Sequence, residues 1–246
     1  MLIGLLSDPH ANLPALEAVL RDVERVGPET LICLGDFVGY GAQPNEVVEA
    51  LRTRCDVHLI GNHDLAALGA IDISSFNSHA AAAARWTASH LTSESRTFLE
   101  SLEPRGVFRG LHLAHASVRD PVWEYVLDYS TAAANFDHLD FEVAIVGHTH
   151  VPAVFVRQSE GEIRGLRVIT LDPERQISLP EGRLILNPGG VGQPRDGDPR
   201  ASWALWDMEE RVFTVRRLEY PVDQAQQAIR AAGLPEILAE RLTQGW

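Results

Sequence analysis

The 246-residue chain is short of cysteine, of methionine and of positive charge. The two cysteines, Cys33 and Cys55, form no CxxC pair, which excludes a zinc knuckle. Each lies in or beside an apolar run, so both read as buried free thiols of a reducing cytoplasm. Only 21 basic residues stand against 34 acidic ones, a formal charge of −13. That balance argues against a wrapper of duplex nucleic acid and against a binder of anionic membranes. No apolar stretch is long enough to cross a bilayer. The opening Met1-Leu2-Ile3-Gly4-Leu5-Leu6 carries no basic leader and soon meets Asp8, so it reads as a strand and not a signal peptide. Internal repeats, low-complexity tracts and linkers are also missing. The expectation is one cytoplasmic domain over residues 1–246, long enough for a substantial core.

What is present is an α/β alternation. Leu2–Ser7, Thr30–Leu34 and Val57–Ile60 are short apolar runs with the character of buried parallel strands. Between them, Asn12 can cap a helix with Pro14 in its first turn, and Pro44 opens a second carrying Val47, Val48 and Leu51. Right-handed crossovers would set the three strand ends on one rim. Residues 76–103 turn helical and read as an inserted helical pair. Val107–Phe108 with Leu111–Ala114 resembles a hairpin, and Val143–Val146 is another buried strand. Segments at Val154–Val156, Leu166–Leu171, Leu184–Leu186, Ser202–Trp206 and Val212–Val215 read as β and suggest a second sheet. Two short amphipathic helices fill residues 222–243, and they could cap a sheet or form a dimer.

Polar residues follow the strands in a telling pattern: Asp8 and His10, Asp36, Asn62 and His63, His115, then His148 and His150. Ligands bind at the carboxyl ends of strands in open α/β sheets. Gly35 and Gly39 let the chain turn off the second strand and leave Asp36 without bulky neighbours. The side chains are nitrogen and oxygen donors with no thiolate, so Mn, Fe, Ni, Co and Zn all remain open. A pair of divalent ions about 3.5–4 Å apart shares one carboxylate and clamps an in-line phosphoryl displacement. Asp36 is the expected shared carboxylate. His63 stands beside a ligand and could give the leaving group its proton, with Asp64 orienting the ring. Taken singly, any of these histidines would more often be structural; the ordered set at strand ends favours metal.

The motifs Asp8-Pro9-His10, Gly35-Asp36-Phe37-Val38-Gly39, Gly61-Asn62-His63-Asp64, His115 and Gly147-His148-Thr149-His150 resemble, in order, the five motifs of the calcineurin-like metallophosphoesterases. The resemblance implies a four-layer α/β sandwich of two mixed sheets flanked by helices. It implies one metal site of Asp8, His10, Asp36 and His150, and a second of Asp36, Asn62, His115 and His148. Asn62 and His63 would also touch the substrate, which a metal-bridging hydroxide would attack. Two positions depart from the pattern: Ala11 and Ala116 stand where glycine is usual, and alanine tolerates positive φ poorly.

The run Asn187-Pro188-Gly189-Gly190-Val191-Gly192-Gln193-Pro194-Arg195 looks like a bacterial branch of small phosphodiesterases similar to asymmetric dinucleoside-tetraphosphate hydrolases. This implies a small phosphorylated substrate, with dinucleoside polyphosphates as candidates. Arg195 could steady a second phosphate, or be a turn residue paired with Asp196 or Asp198. Arg119 and Trp123 could grip a leaving nucleotide, though Trp123 is expected to pack under its own loop. Phe37, Phe76 and Trp86 read as core, and His79 and His90 as solvent-facing. Two other readings stand beside the phosphodiesterase. A phosphoprotein phosphatase of this family would carry Asp-Arg-Gly after the second motif, where Val38-Gly39-Tyr40-Gly41 stands here. A non-catalytic scaffold, like the retromer subunit of this fold, would have degraded ligand positions.

Overall fold

The structure is a computed structural model that describes residues 1–158, 166–169 and 171–246. The chain opens as β1 (Leu2–Leu6), α1 (Leu13–Val26), β2 (Thr30–Cys33), α2 (Pro44–Arg54) and β3 (Val57–His58). Asn12 caps α1 by accepting from the Ala15 amide, and Gly27 ends it at φ 67°. β3 is shorter than the sequence suggests. Leu59 still donates to Cys33, but the Ile60 amide turns away to the Glu103 carbonyl. The chain then enters α3 (Asn62–Leu68), a helix the strand-end reading did not expect. α4 (Ser78–His90) and α5 (Ser93–Glu100) follow, capped by Asn77 and Thr92.

β4 (Arg105–Phe108) and β5 (Leu111–Ala114) form the expected hairpin. α6 (Tyr129–His138) was not expected from sequence, although Asp128 caps it and alanines fill it. Then come β6 (Val143–Val146), β7 (Pro152–Arg157), β8 (Leu166–Val168), β9 (Ile177–Ser178), β10 (Arg183–Pro188), β11 (Ala201–Asp207) and β12 (Val212–Leu218). Of the expected strand at Leu166–Leu171, residue 170 lies outside the described residues. α7 (Val222–Ala231), α8 (Glu236–Glu240) and a 3-10 turn (Arg241–Thr243) complete the chain.

Two mixed six-stranded sheets result, ordered β3-β2-β1-β11-β12-β9 and β4-β5-β6-β10-β7-β8. The late strands do not form a second sheet of their own. β11 and β12 return to pair beside β1, whereas β4, β5 and β6 join β10, β7 and β8. Alternation along each strand builds the layers. Ile3 and Leu5 of β1 face the inter-sheet core with Leu113, Ile145, Leu184 and Leu186. Leu6 turns outward to Leu16 and Val19 of α1 and Val47 and Val48 of α2. On the far side, Ile185 of β10 packs under Phe136 of α6. The outcome is a four-layer α/β sandwich. Asp22 pins α1 to the first sheet by accepting from Trp203 Nε1 at 3.1 Å and Arg216 Nε at 2.5 Å. Among the described residues, no helix is long and apolar enough to cross a membrane.

Candidate metal centre

Parallel pairing of β1, β2 and β3, and of β5 and β6, turns five strand carboxyl ends toward one rim. Asp8 and His10 follow β1, Asp36 follows β2, and Asn62 and His63 begin α3 beyond β3. His115 follows β5, and His148 and His150 follow β6. The connecting turns are tight. Asp8, His10, Asp36, His148 and His150 all have φ between 47° and 64°, the left-handed region. Each such residue costs about 1–2 kcal/mol, so the surroundings must hold it. They do so through main-chain bonds between loops. Asp8 donates to Gly35, His10 to Asp36 and Ala11 to Phe37, at 2.8–3.1 Å. Gly192 donates to Asp8 at 3.0 Å, and His148 to Asp8 Oδ2 at 3.1 Å. Ala11 shares this conformation at φ 52°, so the departure from glycine leaves strain in place; Ala116 has no positive φ.

Two groups of donor atoms gather here, each with its atoms within 4.8 Å of one another: Asp8, His10, Asp36 and His150, then Asp36, His115 and His148. All are buried. Asn62 lies beside the second group, its oxygen 3.2 Å from His115 Nε2. The hydrogen bonds decide what these atoms offer. Nδ1 of His10 meets the Val38 carbonyl at 2.9 Å, Nδ1 of His115 meets Leu34 at 2.9 Å, and Nδ1 of His150 meets Gln193 at 2.6 Å. A carbonyl only accepts, so each Nδ1 carries the proton and each neutral ring turns a lone pair inward through Nε2. Nε2 of His10 and His150 face each other at 3.2 Å, lone pair to lone pair. Asp8 Oδ1, Asp36 Oδ2 and His148 Nε2 are buried with no hydrogen-bond partner among the described residues.

Acceptors without donors, converging among buried side chains, are a poor arrangement for protein alone and a good one for cations. Burial pushes Asp8 up to about 7, and the Asp36 carboxylate adds to the rise. Burial and the Asp64 charge hold Asp36 well above the carboxylate range. Burial likewise pushes His10, His63, His148 and His150 well below the usual imidazole value. A bound cation reverses this balance for the carboxylates.

Residues 1–211 match the calcineurin-like phosphoesterase superfamily domain. The chain belongs to that superfamily. It is 39% identical over 251 residues to an uncharacterized protein of Methanocaldococcus jannaschii, covering 99% of this chain and 98% of the relative. A crystal structure of a metallophosphoesterase from Sphaerobacter thermophilus is 41% identical, with TM-score 0.89 over 100% of this chain and 99% of the other. The hypothetical protein PH1004 from Pyrococcus horikoshii OT3 shares the fold at 21% identity and TM-score 0.80, over 100% and 98% of the two chains.

For a member of this superfamily, several side chains fall where the sequence did not place them. Asp64 does not orient His63. Its Oδ1 accepts from the Val38 amide and its Oδ2 from the Gly61 amide, each at 3.0 Å, so it clamps the Asp36 turn to the start of α3. His63 Nδ1 is buried without a partner among the described residues, and its ring packs on Tyr40 at 4.4 Å and Phe76 at 4.9 Å. Phe76 packs against the core cluster, as expected, and is also a wall of the site. It borders a cavity of about 270 Å³ with Tyr40, Asn62, His63, Trp123, Tyr125 and His148. Trp123 is 38% exposed into this region and is not tucked under its loop. Tyr125 stacks on His148 at 4.0 Å. Arg119 instead pairs with Glu124, away from the cavity. Arg195 pairs with neither Asp196 nor Asp198, which engage Arg217 and Arg200. His79 and His90 are exposed, as expected.

Sequence reading missed Tyr40, whose one signal was an aromatic directly after a ligand motif, and Tyr125, which stands next to none. It also missed Asn187, whose Nδ2 donates to Gly147 and Thr149 and braces the His148 turn. Gly61 has a purely steric role: a Cβ there would meet Asp36 Oδ1 at 2.1 Å and Cγ at 2.6 Å. Gly61→Ala is expected to displace the Asp36 carboxylate and reduce metal content. The loss is expected to be at least tenfold in affinity, on the scale of perturbed ligand support, with the fold retained. Metal analysis after gel filtration, alongside circular dichroism, checks this. Full metal occupancy at wild-type affinity would show that the carboxylate has room to move.

Proposed function

We propose that this chain is a dinuclear metal-dependent phosphodiesterase or pyrophosphohydrolase acting on a small nucleotide-like substrate. The observation that carries the reading is the pair of facing Nε2 lone pairs, with the unpartnered Asp8 and Asp36 oxygens beside them. One ion would take Asp8, His10, Asp36 and His150, and the other Asp36, Asn62, His115 and His148. Two divalent ions there would polarise the phosphoryl oxygens and lower the pKa of a bound water. The protein's own groups do the rest. Left-handed turns cross-linked between loops keep the donor atoms from relaxing apart. His63 lies at the cavity wall, and in this reading it would protonate the leaving oxygen. Tyr40, Phe76, Trp123 and Tyr125 supply aromatic faces beside the metal ligands, suited to a base or another planar group on the phosphoester. Two free, buried cysteines fit a cytoplasmic setting. Residues 1–246 are taken as one domain, with the helical pair as an insertion.

The test compares bis-p-nitrophenyl phosphate with p-nitrophenyl phosphate on metal-stripped protein, with Mn²⁺ added back. Mn²⁺-dependent cleavage favouring the diester is expected. Preference for the monoester would replace the reading with a phosphatase. Failure to cleave either, with two metals bound per chain, would favour a scaffold.

A further inference from the structure

The loop between β5 and α6 carries two large aromatic side chains that the fold leaves partly open. Trp123 is 38% exposed and Tyr125 44%, and both line the cavity of about 270 Å³ beside Asn62, His63 and His148. Side chains alternate along this stretch. Trp123 and Tyr125 face the cavity, whereas the Glu124 side chain is only 16% exposed. Val126 is buried with Ala132 and Phe136 of α6. Extended chain gives this period of two. Tyr125 stacks on His148 at 4.0 Å, and Trp123 meets Phe76 edge to face at 5.9 Å. Aromatic faces left open in this way gain free energy when an apolar surface covers them.

The loop is fixed from behind, and Glu124 is the fixing point. Its Oε2 accepts from Ser117 Oγ at 2.6 Å and from Asn135 Nδ2 at 2.8 Å, and its Oε1 accepts from Arg119. Ser117 and Asn135 are both buried. Asn135 reaches the loop from α6, and its Oδ1 accepts from the amides of Val118 and Arg119 at 3.0 and 3.2 Å. Asp120 Oδ1 closes the turn by accepting from the amides of Val122 and Trp123 at 3.2 and 3.1 Å. Ser117 stands two residues after His115, so one network runs from a strand-end donor to the aromatic wall. Bonds of this kind hold two side chains in one geometry before a ligand arrives, which lowers the entropy lost on binding. Glu124 itself stays off the cavity wall, so it acts through the residues on either side of it.

We infer that Glu124 is a positioning residue that presents Trp123 and Tyr125 as the recognition wall for a planar base on the substrate, with Trp123 supplying the stacking face. The inference rests on the phosphoester reading and narrows it to phosphoesters of nucleosides. The test is calorimetric binding to Mn²⁺-loaded protein, with Mn²⁺ in excess of ligand. The ligands are adenosine 5′-monophosphate and ribose 5-phosphate, which carries the same phosphate without the base. Wild-type protein is expected to prefer the nucleotide. Trp123→Ala and Glu124→Ala are each expected to lose about tenfold of that preference, equivalent to about 1.4 kcal/mol, with ribose 5-phosphate affinity and metal content unchanged. Glu124→Gln keeps an oxygen for Ser117 and Asn135 and gives up only the ion pair with the 41% exposed Arg119, so it should retain the preference. Leu127→Ala, at an exposed residue of the same loop that does not line the cavity, should retain it too.

No preference in the wild type, or one undiminished in Trp123→Ala, would overturn the wall. Equal losses for the two ligands in Glu124→Ala, or a loss in Glu124→Gln as large as in Glu124→Ala, would overturn the positioning role. The phosphodiesterase reading fails separately, because binding requires no turnover. If no phosphoester is cleaved while Trp123→Ala and Glu124→Ala still lose the base preference, the wall stands and the catalytic reading falls.

Discussion

Asp36→Asn is expected to abolish turnover and to lower bound metal from two ions per chain to one or none, while the fold survives. Asp36 is common to both donor groups. Its Oδ2 lies 3.5 Å from Nε2 of His10 and 3.5 Å from Nε2 of His115, and it has no hydrogen bond of its own. The substitution keeps the shape and lets the amide oxygen accept from the His63 amide, as Oδ1 does at 2.8 Å. What it removes is the negative charge shared between two sites otherwise built from neutral rings, an amide and a single further carboxylate, Asp8. If two ions bind as proposed, losing that charge would also remove the group shared between them. A fall in kcat/KM of at least about 10³, roughly 4 kcal/mol of barrier, is expected. Metal analysis and diester hydrolysis measure the two consequences, and circular dichroism reports the fold. Two tightly bound ions with wild-type turnover would remove Asp36 from its bridging role.

His63→Gln carries the second large expectation, and it differs in kind. His63 is not in either donor group, so metal content should be unchanged. Its ring lies between Tyr40, Phe76 and His10, at 4.4, 4.9 and 4.9 Å, on the wall of the cavity. Burial, followed by the charge of Arg195, holds the imidazole well below its ordinary value. A phosphate dianion beside the ring works the other way and favours the protonated donor. If His63 protonates the leaving oxygen, kcat should fall about 10²–10⁴ for an alkoxide leaving group. For p-nitrophenolate, which departs without a proton, the loss should be much smaller. Equal losses for both leaving groups would assign His63 to substrate binding alone.

The donor set was legible in sequence because ligand chemistry resides in residue type, and because polar residues after apolar runs mark strand ends. Asp8, His10, Asp36, His115, His148 and His150 could be named from local pattern, and the parallel pairing of β1, β2, β5 and β6 gathers them. Asn62 and His63 were named as well, but on the wrong element: they open a helix, because Ile60 leaves the sheet for Glu103. Asp64 shows the limit of adjacency. Next to His63 in sequence, it turns to the Val38 and Gly61 amides, since a buried carboxylate is best satisfied by main-chain donors within reach.

The sequence by itself determined the α/β class, the two layers of buried strands, the capped helices and the chemistry gathered at the rim. Each of these depends on periodicity or on residues a few positions apart. Only the tertiary structure decided which sheet receives β11 and β12, since strand pairing over such separations leaves no local trace. Only the tertiary structure set Trp123 and Phe76 on the cavity wall, because a loop's side-chain direction follows from the surface it crosses. And it alone brought Arg195 and Arg241, 46 positions apart in the chain, to the same Tyr40 ring, because the apolar face of α8 must bury in the core cluster beside α7 and carries the following turn with it.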